Sequence, residues 1–196
     1  PGKSLDYNSF KFQNTDSSDC WVEDFIDGTM INVFYDNINE TWEIATKSTV
    51  GGNIIFFNDT KNYKNFAPES ENSKYYENHY NATFRSLFFE ACNSNNFNLN
   101  TLNRLYCYSF VMQHPYNRIV TPSSIPLIYL VKVYEIDNSN FTSSINIKEL
   151  NLQSFISSPP YIFLNTNVKF VNKYPFLSYE ALEQYYNSDN IPFHCV

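Results

Sequence analysis

The stretch VEDFIDGTMINVFYD (22–36) sets an Asp-Gly step, Asp27-Gly28, directly before a strand-like run. The next extended run, TWEIATKSTV (41–50), carries Lys47 and ends at Gly51-Gly52. If the two runs form a hairpin centred on Ile38, Lys47 faces Thr29 and adjoins Gly28. A lysine beside a small glycine-containing turn can hold a phosphate. A solvated edge-strand lysine has the same signature, and base rates favour it. Further along, YSFVMQHPYNRIV (108–120) joins an aromatic strand to a turn and then to Asn117-Arg118.

Other chemistries find no support. There is no G-x-G-x-x-G, no Walker A and no H-E-x-x-H. Cys20, Cys92, Cys107 and Cys195 are widely spaced without a C-x-x-C, so neither a zinc site nor a disulfide scaffold is expected. They read as reduced, small apolar side chains. His79, His114 and His194 are lone histidines, and no metal ligands are assigned. The net charge of −7 argues against a general coating of nucleic acid, while a local basic cleft stays open.

The elements that must carry these residues follow from pattern. Residues 1–18 are polar and read as loop, with Tyr7, Phe10 and Phe12 as anchors. Residues 29–35 and 41–47 form a hairpin across the DNINE turn. Both faces of 29–35 are mostly apolar, as in a strand buried twice or facing a pocket. Residues 58–80 are a polar surface loop. Phe84, Leu87, Phe88 and Ala91 recur at helical spacing and predict a helix over 82–93. Residues 99–105 suit a short helix, 106–113 an aromatic strand, 114–117 a turn, and 126–136 a strand. Residues 145–158 are partly helical, YIFLN and VKFV are short strands, and Ser178 caps a last helix ending near Tyr186. The fold class is α+β, with antiparallel sheets, packed helices and one core. With 43% hydrophobic and 17% charged residues, the chain is globular. No apolar run reaches about 18 residues, so no transmembrane helix is expected. The first ten residues hold no apolar signal region, and the cytoplasm is the default compartment.

The order PGKSLDYN, FIDGTMINVFYD, WEIATKSTVGG, YSFVMQHPYNRIV resembles the adenylation domain of phage-type RNA ligases that repair broken tRNA. That family has K-x-D-G-S/T opening a strand, then S-K-G-S-x, then F-E-F-V and N-R-I-V. The resemblance covers roughly residues 1–136 in the same order and at similar spacing. Similar chains occur in large DNA viruses with A/T-rich genomes, which suits the 28 Asn, 16 Tyr and 18 Phe of this sequence. The implied fold is the covalent nucleotidyltransferase core. Residues 1–196 are read as a fragment of one such domain, incomplete at both ends.

The resemblance implies ATP and Mg as cofactors and RNA as partner. In the family the K-x-D-G lysine attacks the α-phosphate of ATP. The AMP then passes to an RNA 5′-phosphate, and a 3′-hydroxyl displaces it. Asp27, Gly28, Thr29, Lys47 and Ser109 fall at nucleotide-binding positions, and Asn117 and Arg118 at substrate-binding ones. Two positions depart from the pattern. Phe25 stands at the nucleophile, and a phenyl ring cannot form a phosphoramidate. Ser109 stands where the family has glutamate and brings no negative charge. A degenerate adenylation site is therefore the expectation, with Phe25 filling the emptied pocket. The alternatives are an active ATP-dependent RNA ligase using Lys47 or a lysine outside the fragment, and a non-enzymatic interaction module.

Overall fold

A computed structural model describes residues 5–15, 20–54, 82–137, 146–157, 162–174 and 176–186. The expected 58–80 loop, His79, His194 and Cys195 lie outside the described residues. In chain order the elements are α1 (Tyr7–Gln13), β1 (Val22–Glu23), β2 (Thr29–Asp36), β3 (Thr41–Ala45), α2 (Phe84–Ser94), a 3₁₀ turn (Leu99–Thr101), β4 (Tyr106–Gln113), β5 (Leu127–Asp137), β6 (Asn146–Glu149), α3 (Leu152–Ser157), β7 (Lys169–Phe170), β8 (Lys173–Tyr174) and α4 (Tyr179–Tyr186). The fold is mixed α+β, built on antiparallel sheets with helices packed on them. The chain divides into two compact units, Asp27–Phe170 and a smaller one made of 1–26 with 171–196.

In the larger unit the strands run in the order β3-β2-β4-β5-β6, each pair antiparallel. β7 joins β5 in parallel at Tyr129 and Leu130. Strand side chains alternate between faces, and one face is the core. Ile31, Val33, Trp42, Ile44, Tyr108, Phe110, Met112, Ile128, Leu130 and Val133 are buried there. Leu130 and Val133 share that face although they lie three positions apart. The reason is a bulge: Ser109 faces Lys132 while Phe110 faces Leu130, so Val131 is the extra residue. Without it every later side chain of β5 would swap faces.

α2 covers this face with Phe84, Leu87, Phe88 and Ala91, as its helical spacing predicts. Thr83 caps the helix reciprocally with Ser86. Its first amides are already taken, because Phe84 N–H donates to Ile54 O at 3.1 Å and Arg85 N–H to Gly52 O at 2.9 Å. Gly52 has φ +64°, and a Cβ there would stand 2.9 Å from Ile44 Cδ1. The opposite face of β2 is only half covered, since Met30 is 50% exposed, so the strand is not buried on both sides.

The hairpin register differs from expectation by one residue. Asn32 faces Ala45 and Asp36 faces Thr41, leaving the four-residue loop 37–40. Asp36 organises that loop by accepting from Ile38 N–H at 2.8 Å and from Asn39 Nδ2 at 2.7 Å. These bonds, Asn39 first, hold the Asp36 carboxyl below its ordinary pKa.

In the smaller unit, 7–13 is helix rather than loop. The signal was Asp6, whose side chain accepts from Ser9 N–H at 3.0 Å and caps the helix. α1 meets α4 through Tyr7 OH donating to Glu183 at 2.8 Å and Tyr179 OH donating to Asn14 O at 2.7 Å. Desolvation and the Glu183 bond push the Tyr7 phenol up to about 12. Ser178 caps α4 by accepting from Ala181 N–H at 3.1 Å, as predicted. β1 pairs with β8 over two residues, Val22 facing Tyr174 and Glu23 facing Lys173.

Candidate functional site

The Asp27-Gly28-Thr29 turn enters β2 against the end of β4. Gly28 has φ +146°, and a Cβ there would lie 2.5 Å from Met112 O and 2.8 Å from Val111 Cγ1. Only glycine lets the turn approach the neighbouring backbone this closely. Thr29 then faces Met112 in the ladder.

Around this turn the chain brings back the loop that follows β4. Asn117 Nδ2 donates to Thr29 Oγ1 at 2.6 Å. Gln113 Nε2 donates to the Asp27 carbonyl at 2.8 Å. Asp27 Oδ2 accepts two backbone amides, Val120 N–H at 3.0 Å and Thr121 N–H at 2.7 Å. The loop supports itself from below. Tyr116 N–H donates to His114 Nδ1 at 3.2 Å, and Asn117 N–H to His114 O at 2.9 Å. The fully buried His114 ring places Nε2 3.7 Å from Glu90 Oε2 of α2. Arg118 is exposed, and its Nε donates to Val120 O at 3.0 Å.

Four of the residues singled out in the sequence thus meet directly or through one contact: Asp27, Gly28, Thr29 and Asn117. Arg118 belongs to the same loop. Ser109 lies further along β4, opposite Asn32, and is 4% exposed. Its hydroxyl donates to Asn32 Oδ1 at 2.6 Å, which makes a neutral, half-buried pair where the resemblance has an acid. On its other side Ser109 faces Lys132, whose Nζ is 2.7 Å from Glu149 Oε1.

Two expectations about position fail. Lys47 does not face Thr29. β3 stops at Ala45, which bridges back to Val50, and Thr46 N–H donates to Thr49 O at 2.8 Å. Lys47 and Ser48 form the exposed tip of this tight reversal. Two glycines with positive φ, Gly51 and Gly52, complete the return toward α2. Phe25 lies in the smaller unit and is 77% exposed, so its ring is not buried as a pocket filling.

Gln113, Asn32 and the amides of Val120 and Thr121 were not singled out in the sequence. Asn32 carried a signal, a polar residue in the middle of the apolar run TMINVFY. The amides carried none, because backbone groups have no letter of their own.

At Ser109 the described residues offer a neutral hydroxyl, which donates to Asn32 Oδ1. No group of three or more His, Cys, Asp or Glu gathers among them. Asp27, the acid of the turn itself, accepts two amides. Among the described residues no helix is long and apolar enough to cross a membrane.

No protein-family model matches this sequence. The chain is similar to the RNA ligase of Rhodothermus phage RM378, with 32% identity over 116 residues. That match covers 57% of this chain and 22% of the phage protein, so the chain spans well under half of that relative. The likeness is RNA-ligase-like in sequence, on an antiparallel α+β fold.

Proposed function

We propose that this chain is part of an RNA-ligase-like nucleotidyltransferase domain that binds nucleotide or RNA and does not adenylate itself. One observation carries the reading: the Asp27-Gly28-Thr29 turn and the Asn117-Arg118 loop, some ninety residues apart, are tied together by side-chain hydrogen bonds. The similarity to a phage RNA ligase supports the same class. Two residues support the loss of self-adenylation. Phe25 offers no lone pair to a phosphorus atom at the position of the family's lysine. Ser109 spends its proton on Asn32 and supplies no charge. Lys47 as a substitute nucleophile gains nothing from its exposed turn, because in-line attack tolerates only small misplacement.

The test is intact-mass spectrometry after incubation with ATP and Mg²⁺ or Mn²⁺, alongside a thermal melt with ATP. The expected result is no added AMP, with a melting temperature raised by ATP or RNA. An AMP adduct would overturn the reading. Loss of that adduct in Lys47→Ala would then assign the nucleophile to Lys47.

A further inference from the structure

Among the described residues, six of the nine cations are engaged by an acid or a ring. Arg85 pairs with Glu43, Lys132 with Glu149, and Lys11 with Glu180 and Glu183. Arg104 lies over Tyr35, Lys169 over Tyr129 and Lys173 over Trp21. Arg118, like Lys47 and Lys148, is not among these. Its Nε is held by the carbonyl of Val120 at 3.0 Å, and among the described residues its two Nη groups meet neither a carboxylate nor a ring. A guanidinium pinned by one edge and open on the other presents a planar fork, the geometry that matches two phosphate oxygens.

The pin itself is fixed. Val120, whose carbonyl holds Arg118, gives its own amide to Asp27 Oδ2, as does Thr121. The residue before Arg118, Asn117, is fixed to Thr29. Holding an exposed arginine in one conformation costs side-chain entropy and stabilises nothing in the core. That expense makes sense for a ligand contact. The Asp27 charge is engaged by the two amides, so it anchors the loop rather than pairing with the guanidinium.

We infer that Arg118 contacts a phosphate of single-stranded RNA, and that Asp27 is the residue that positions it. This rests on the RNA-ligase-like reading above, and it adds the ligand group and the positioning residue. Exposed Ile119, Val120 and Ile125 on the same loop would also suit an apolar protein partner. The adjoining glycine turn and the ligase similarity favour RNA.

The experiment measures binding of a short 5′-phosphorylated, 3′-labelled single-stranded RNA across a salt series. It uses the wild type, Arg118→Ala, Arg118→Lys, Asp27→Asn, Asp27→Glu and the Arg118→Ala/Asp27→Asn double variant, with melting curves to establish folding. Arg118→Ala is expected to weaken binding about tenfold and to flatten the salt slope by about 0.7. Arg118→Lys should recover only part of the loss, because the fork is gone. Asp27→Asn should weaken binding alone yet add nothing to Arg118→Ala, the coupling that a positioning role requires. If Asp27→Asn fails to fold, Asp27→Glu takes its place in the cycle. Wild-type binding that survives Arg118→Ala unchanged would overturn the proposal and leave the loop as a protein-facing surface. Additive losses would overturn the role of Asp27. A folded wild type that binds no RNA at low salt would instead overturn the RNA-ligase-like reading beneath it.

Discussion

Gly28 sets the tightest constraint on any single residue near the site. Its missing Cβ is what lets the turn lie against Met112 O, at a separation of 2.5 Å for a methyl placed there. Gly28→Ala should therefore cost about 1–3 kcal/mol, read as a lowered midpoint in urea; an unchanged midpoint would contradict the packing. Cys92 gives a second residue-scale test. Burial pushes its thiol up to about 12. Because the folded value is raised, the stability it reflects is complete below the ordinary thiol value and is lost as pH rises toward 12. Native Cys92 should resist iodoacetamide at pH 8, since the thiolate is the nucleophile. Peptide mass mapping checks this, and full modification of the folded chain would contradict it. At this scale the sequence revealed the right letters and few of their contacts. Asp27, Gly28, Thr29 and Asn117 were legible as a group only through motif order. That Asn117 bonds Thr29 is a contact across 88 positions, which a single sequence does not encode locally.

Local chemistry was most legible where an element closes on itself. The α2 stripe and the Ser178 cap could be read directly. Thr83 and Ser86 form a reciprocal cap that anchors α2, and Thr83→Ala should lower stability by about 1 kcal/mol, measured by chemical denaturation. An unchanged stability would mean that the Gly52 and Ile54 carbonyls hold the helix start by themselves. The hairpin shows where pattern reading runs out. Apolar alternation found both strands, and the loop set the register. Asp36 gathers Ile38 and Asn39 into a four-residue turn, which sets the pairing one residue from the assumed register. That single step, with the early end of β3, moved Lys47 from a supposed neighbour of Thr29 to the tip of another turn. The β5 bulge was likewise invisible, because VKV reads as continuous alternation. α1 was missed although Asp6 and Ser9 stood in capping positions, since the polar composition around them looked like loop.

For the whole molecule, composition and element order sufficed for the α+β class, and the sheet bears it out. The division into two units was not legible, because the smaller one joins the first 26 residues to those after Phe170. Such long-range assembly leaves no periodic trace. The net charge of −7 bears on function at this scale. It disfavours broad electrostatic capture of RNA and leaves recognition to a fixed contact such as Arg118. RNA affinity should accordingly be modest and shallow in its salt dependence, with few phosphates neutralised; a steep slope would show a basic surface outside the described residues. The central claim is an RNA-ligase-like site without its own nucleophile. Intact-mass spectrometry with ATP and a divalent cation tests it most directly. The expected spectrum shows the unmodified chain while ATP or RNA raises its melting temperature. A mass increase of one AMP would contradict the claim.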